Sequence, residues 1–224
     1  MNPLRGGFER QPRAYFEGLT EGWAVQALRT YCNGRTVNRG WRFSGAWFDR
    51  LADRSSPDSF TAADIVAVKM LSVEVPANAT IRILETERDL FSDLLRSMGP
   101  DRPIWTVDAV ELEPGSHAHT LWRTLHDLQG VGPVIAGKLM AAKRPSLIPI
   151  FDQHVQTALH PPAGAFWTSM RASMIDSHKA VAATVSRAGV EVSLLRAVDI
   201  VVWLHQYGWK YAEEELGPPP GFLT

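Results

Sequence analysis

Apolar residues recur at intervals of three and four along most of this chain, the spacing that lines one face of an α-helix. "GLTEGWAVQALRTYC" puts Trp23, Ala27, Leu28 and Tyr31 on one stripe, although Gly18 and Gly22 weaken its start. "GAWFDRLADR" follows, with Trp47, Phe48 and Leu51 as its apolar positions. In "SFTAADIVAVKMLSV" Thr61 is placed to cap a helix, Asp64 to reach back three residues, and Phe60 and Ile65 to form a hydrophobic staple. "PANATIRILETERDLFSDLLRSMG" opens on Pro76, repeats Ile81, Leu84, Leu90, Leu94 and Leu95, and closes on Gly99.

Downstream, "DRPIWTVDAVELEPGS" is irregular or briefly extended. Ser116 then caps "HAHTLWRTLHDLQ", where Leu121, Trp122, Leu125 and Leu128 face inward. A second helix is expected from about Pro133 to Lys143, then the extended apolar run "SLIPIF", then a short helix with Asp152 at its N-cap. "AFWTSMRASMIDSHKAVAATVSRAG" and "EVSLLRAVDIVVWLHQYGW" supply two longer helices. The pattern therefore predicts an all-α protein with at most two short extended pieces. It reads as a helical domain over residues 19–214 between two loose arms, 1–18 and 215–224. No helix continues past Pro218.

A length of 224 residues allows one large domain or two small lobes. Hydrophobic residues make up 45% and charged residues 21%, so disorder is not expected away from the ends. No apolar run approaches the roughly 20 residues of a membrane helix, and no membrane role is expected. The start, "MNPLRGGFERQPR", has no apolar signal-peptide core. Cys32 is the single cysteine, which excludes an internal disulfide and an all-cysteine metal or iron–sulfur site. A cytoplasmic location is expected. The formal net charge of −1 excludes a strongly basic nucleic-acid coating protein. It leaves room for a site that grips one stretch of backbone with amides and a few local cations.

The segment "GVGPVIAGKLMAAKRPSLIPIFDQHV", Gly130 to Val155, concentrates the chemistry. Two glycines separate two helices. Gly130 and Gly132 permit unusual backbone conformations and remove side chains that would block a close approach. Amides at the start of the second helix favour an anion, and Pro133 suits the first helical position. Lys138, Lys143 and Arg144 lie on or just beyond that helix as candidate cations. A tight packing turn between helices fits the glycines equally. Asp152 is placed as a plain cap. A carboxylate at a cleft mouth also suits nucleophile activation or oxocarbenium stabilisation.

Leu128, Gly130, Val131, Gly132 and Ala136, followed by Pro149, Ile150, Asp152, His154 and Val155, resemble the motif of the helix-hairpin-helix (HhH-GPD) DNA glycosylase superfamily, related to endonuclease III. The step of 22 residues from Gly130 to Asp152 fits the same pattern. The resemblance covers about 30 residues and implies a two-lobed helical fold, with a helix-hairpin-helix over about 117–143 and a catalytic-aspartate segment over 147–160. It implies that the backbone of Gly130, Val131, Gly132 and Val134, with Lys138, Lys143 and Arg144 nearby, holds duplex DNA carrying a damaged or modified base. The target nucleotide would be flipped out, and Asp152 would assist cleavage of its N-glycosidic bond. Bifunctional members carry a lysine two residues after the second hairpin glycine. Val134 stands there, so a monofunctional hydrolase is implied. The cluster cysteines of some relatives are absent, and no cofactor is expected. Stretches such as "FTAADIVAVKMLSV" are also similar to an uncharacterised actinobacterial family.

Trp167 and Trp209 fall outside the regular stripes and are candidates for base stacking. His117 and His119, like His154 and His160, diverge on a helix and do not suggest a metal site. Two other readings stay open: a non-catalytic DNA-binding module in which Asp152 only caps, and a helical interaction domain without nucleic acid.

Overall fold

The computed structural model describes residues 11–17, 22–35 and 40–221. Twelve α-helices run in order through them: α1 (Gln11–Glu17), α2 (Trp23–Asn33), α3 (Phe48–Leu51), α4 (Ala62–Lys69), α5 (Ala77–Ile81), α6 (Arg88–Ser97), α7 (His117–His126), α8 (Pro133–Lys143), α9 (Gln153–Leu159), α10 (Phe166–Ala188), α11 (Leu194–Gln206) and α12 (Glu213–Leu216). Short 3₁₀ turns occupy Ile104–Thr106 and Ala109–Leu112, where the sequence reads as irregular. Among the described residues the only bridge of β type is the isolated Arg35–Trp41 pair, so the extended pieces do not become strands. No described helix is long and apolar enough to cross a membrane. The chain divides into two compact units, Ser44–Ile150 and Met1–Phe43 with Phe151–Thr224.

The Ser44–Ile150 unit is built on α8. Every residue from Ala136 to Lys143 is buried, so this stretch of α8 has no solvent-facing side, and α4 and α7 pack against the helix. α4 starts as its sequence dictates. Asp64 accepts the Thr61 amide at 2.8 Å and the Thr61 hydroxyl at 3.1 Å, closing the capping box. The segment from Pro76 to Gly99 departs from its expected stripe. A π turn at Arg82–Thr86 inserts an extra residue between α5 and α6. The helical phase shifts there, so Ala79, Ile83, Phe91 and Leu95 face the core while Ile81 and Leu90 are 52% and 46% exposed. Gly99 ends the run with φ +75°.

The other unit packs α10 and α11 against α1 and α2. α11 is buried from Leu195 to Val202, and Ser193 caps it by accepting the Arg196 amide at 3.1 Å. The buried Arg196 pairs with Asp199 and donates to the Tyr31 hydroxyl at 3.0 Å. Tyr31 also stacks on Phe43 at 5.0 Å. Gly208 lies flat on Trp203, so close that a Cβ there would sit 2.0 Å from the indole. Residues 11–17 correct the expected loose N-terminal arm. They form α1, whose Tyr15 and Phe16 are buried in its packing on α10 and α11. Residues 1–10 and 18 of that arm lie outside the described residues. At the other end α12 stops before Gly217, φ +62°, and the following segment lies back on α11 where Pro220 O meets His205 Nε2 at 3.3 Å. Residues 222–224 lie outside the described residues.

Candidate functional site

The two glycines of the hairpin have different reasons to be glycine. α7 buries Leu125 in its last turn, Leu128 is buried just beyond its end, and the Val131 amide turns back to Leu128 O at 2.9 Å. That turn puts Gly130 at φ +79°, a conformation that side chains disfavour. A Cβ on Gly130 would also sit 2.8 Å from Pro76 Cγ. Val131, next in line, is a buried core residue rather than a contact surface. Gly132 then caps α8 in ordinary extended conformation, φ −82° and ψ 176°, with open space where a side chain would stand. It makes no side-chain cap. Serine, threonine, asparagine or aspartate would fit that backbone and serve the helix at least as well. Among the described residues no acceptor reaches the amides of Val134 and Ile135. α8 therefore starts on two unpaired donors behind a residue with no side chain, the arrangement that receives an anion.

The cations expected to line this hairpin are elsewhere. Lys138 is buried and donates to Leu71 O at 3.0 Å. Lys143 and Asp64 form an ion pair at 2.5 Å with both side chains fully buried, and the same ammonium donates to Asp53 O and Ser56 O. Arg144 is also fully buried. Its guanidinium donates to Gly99 O, Pro57 O and Leu95 O and pairs with Asp58 at 2.6 Å. These three residues tie α8 to the loops around it, and the expectation of a basic lining from them is corrected. The reason is that α8 is buried from Ala136 onward against α4 and α7, and its cations go inside with it. The exposed cation of α7, Arg123, and the exposed His126 ring lie on the helix before the hairpin instead. His126 stacks on Trp122 at 5.0 Å and lies 3.7 Å from Asp127.

Asp152 belongs to the other unit. It caps α9 as expected, with Oδ1 accepting the Val155 amide at 2.9 Å. Among the described residues no donor reaches Oδ2, and the residue is half-buried. Two positions along, His154 stacks on Tyr207 at 4.5 Å with the rings 20° apart. Tyr207 and Tyr211 share a hydrogen bond between their hydroxyls at 2.8 Å, and both rings are exposed. That bond raises the Tyr211 phenol's pKa above its ordinary value. Trp203 closes the group edge-on to Tyr207 at 6.0 Å. This is a held aromatic surface on the unit that carries Asp152, and the sequence reading misses it. A signal existed: Trp203, Tyr207 and Tyr211 recur every four residues across the end of α11. The sequence reading instead favours Trp167 and Trp209. Both are half-buried, and among the described residues neither stacks on another ring. No three His, Cys, Asp or Glu side chains among the described residues gather into a metal-holding group.

The chain matches a family of unknown function, DUF6308, over residues 24–206, and it belongs to that family. The match runs from α2 to the end of α11 and takes in the hairpin and Asp152. No curated protein and no solved structure matches the chain.

Proposed function

We propose that this chain is a DNA glycosylase-like protein that binds duplex DNA carrying a damaged or modified base and hydrolyses its N-glycosidic bond without lyase chemistry. The observation that carries the reading is Gly132, a glycine that the fold does not require, standing before the unpaired Val134 and Ile135 amides. A missing side chain at an open helix start allows a phosphate to come within reach of those donors. Asp152 has the form of the catalytic carboxylate. One oxygen is anchored by the Val155 amide and the other is unengaged among the described residues. As the bond from C1′ to the base nitrogen breaks, that carboxylate stabilises positive charge on the sugar or takes a proton from the water that attacks C1′. The base departs with the electron pair of the broken bond, the water oxygen bonds to C1′, and the proton that the water loses ends on the base. Exposed Tyr207 offers a face on which an unstacked base could lie.

A second reading is a binding module without chemistry, favoured by the same Oδ1 bond, because capping alone explains Asp152. Asp152→Asn separates the two, since asparagine caps as well as aspartate. The glycosylase reading expects the variant to bind duplex DNA with a stable abasic-site analogue like the parent. It expects base release to fall at least a hundredfold on whichever modified duplex the parent cleaves. Equal turnover removes Asp152 from the chemistry, and an absence of release by the parent across a panel of modified duplexes favours the module.

A further inference from the structure

The chain has four tyrosines, and the fold sorts them into two kinds. Tyr15 and Tyr31 are buried, and their hydroxyls accept from Gln206 and Arg196. Tyr207 and Tyr211 are 37% and 54% exposed, and they meet each other. Their hydroxyls share a hydrogen bond at 2.8 Å, an ordinary length for two hydroxyls. Their ring centroids are 5.6 Å apart and the ring planes are inclined at 65°. This contact is not made along a helix. Tyr207 leaves helical conformation at the end of α11, φ −145°, and the 3₁₀ turn Gly208–Ala212 brings Tyr211 back to it. Each partner is held by neighbours. His154 stacks on Tyr207 and Trp203 meets it edge-on, while Arg42 donates to Tyr211 O at 2.6 Å and pairs with Glu215. Both exposed phenols of the chain therefore sit in one fixed contact.

We propose that Tyr207 and Tyr211 are an oxidative cross-linking site, joined within one chain as dityrosine by a haem peroxidase that uses hydrogen peroxide. The peroxidase takes one electron from each phenol, and each hydroxyl proton leaves with it. The two radicals join at ring carbons next to the oxygens. The hydrogens on those carbons then move to the oxygens and restore both phenols. Overall one C–C bond forms and two C–H bonds break, and the two electrons and two protons reduce one peroxide to two waters. A phenol pair coupled in this way keeps its hydroxyls in hydrogen-bond contact and its rings twisted out of one plane. The folded pair already has the contact and the twist, so coupling asks only for a short approach of the rings. Tyr15 and Tyr31 are buried out of reach of a protein oxidant. The new bond staples the end of α11 to the Gly208–Ala212 turn. This site does not depend on the DNA reading and stands or falls apart from it.

The test treats the full chain with a haem peroxidase and hydrogen peroxide, separates monomer from covalent dimer, and digests the monomer with trypsin. Trypsin cuts after Arg196 and after Lys210, and the second cut falls between the two tyrosines. The cross-link therefore shows as peptides 197–210 and 211–224 held together, two hydrogens lighter than their sum. The expected result is this linked pair from the parent monomer, with the blue fluorescence of dityrosine. Tyr207→Phe and Tyr211→Phe keep the rings and remove one phenol each, so each should lower that fluorescence at least tenfold. Peroxide consumed without the linked pair overturns the proposal, and so does dityrosine confined to covalent dimers. Both of these outcomes are read on the parent and hold even where a variant does not fold. Unchanged monomer fluorescence in either folded variant has the same force.

Discussion

Gly130 and Gly132 stand two residues apart, and only the first is needed for folding. Gly130 meets a positive φ and the Pro76 ring together, so Gly130→Ala should cost about 1–3 kcal/mol in urea denaturation. Gly132→Ser should leave stability unchanged or raise it by a few tenths of a kcal/mol, since serine caps where glycine does not. Equal costs at the two positions would contradict this division. The glycines themselves are legible in the sequence, because G-x-G between two apolar-periodic segments marks a turn. Which of them serves the turn is not legible. That depends on Pro76, more than fifty positions away, and on the φ that the end of α7 imposes. Asp152 is read correctly as a cap, because capping is a local relation between a carboxylate and an amide three residues on.

Helices reproduce their sequence signals where those signals are local. Ser116, Asp152 and Ser193 accept the amides of His119, Val155 and Arg196, and the Thr61–Asp64 box forms as its spacing requires. What escapes the sequence is the direction in which cations point. Lys143 and Arg144 at the end of a helix look like surface charges, but they are the moorings of α8, because Asp64, Asp58 and a set of loop carbonyls come to them from earlier in the chain. Lys143→Met should therefore destabilise the fold by about 3–5 kcal/mol, by leaving the Asp64 carboxylate buried without its counter-ion. A change within about 0.5 kcal/mol in denaturant would show that the pair is not essential. The π turn after α5 is equally hidden, since a stripe extrapolated at 3.6 residues per turn runs straight through it. Gly208→Ala should cost about 3 kcal/mol or more, because the methyl group would occupy the space of the Trp203 ring.

At the scale of the molecule, the formal net charge of −1 and the burial of Lys138, Lys143 and Arg144 leave little positive surface at the hairpin. DNA binding carried by backbone amides with few cations should depend weakly on salt, with a log–log slope of about −1 to −2. A slope beyond about −4 would require a basic surface that the described residues do not provide. Stability should depend on pH through His205. Its imidazole packs edge-on against Tyr15 and Trp23, and burial holds its pKa below the ordinary value. The folded state then binds a proton less readily than the unfolded chain. Its stabilisation is full above about pH 6.5 and is lost as pH falls through the depressed folded value. The loss of stability between pH 7.5 and 5.5 should be smaller in His205→Gln than in the parent. An identical loss would remove His205 from the acid response. All-helical architecture is legible from the periodicity. The division at Phe43–Ser44 and Ile150–Phe151 is not, because the unit holding α1 and α2 is completed by residues after Ile150, and no local pattern marks such a return.

The central claim is that the open start of α8 receives a phosphate, and Gly132→Asp tests it most directly. Aspartate at the cap would accept the free amides with its own carboxylate and complement the helix dipole. The measurement is binding to a short duplex with a stable abasic-site analogue, beside thermal unfolding of the same two proteins. The account predicts that the parent binds, and that the variant unfolds at an equal or higher temperature but binds at least tenfold more weakly. A parent that does not bind at low salt, or a stable variant that binds as tightly as the parent, would contradict it and leave the hairpin as packing alone.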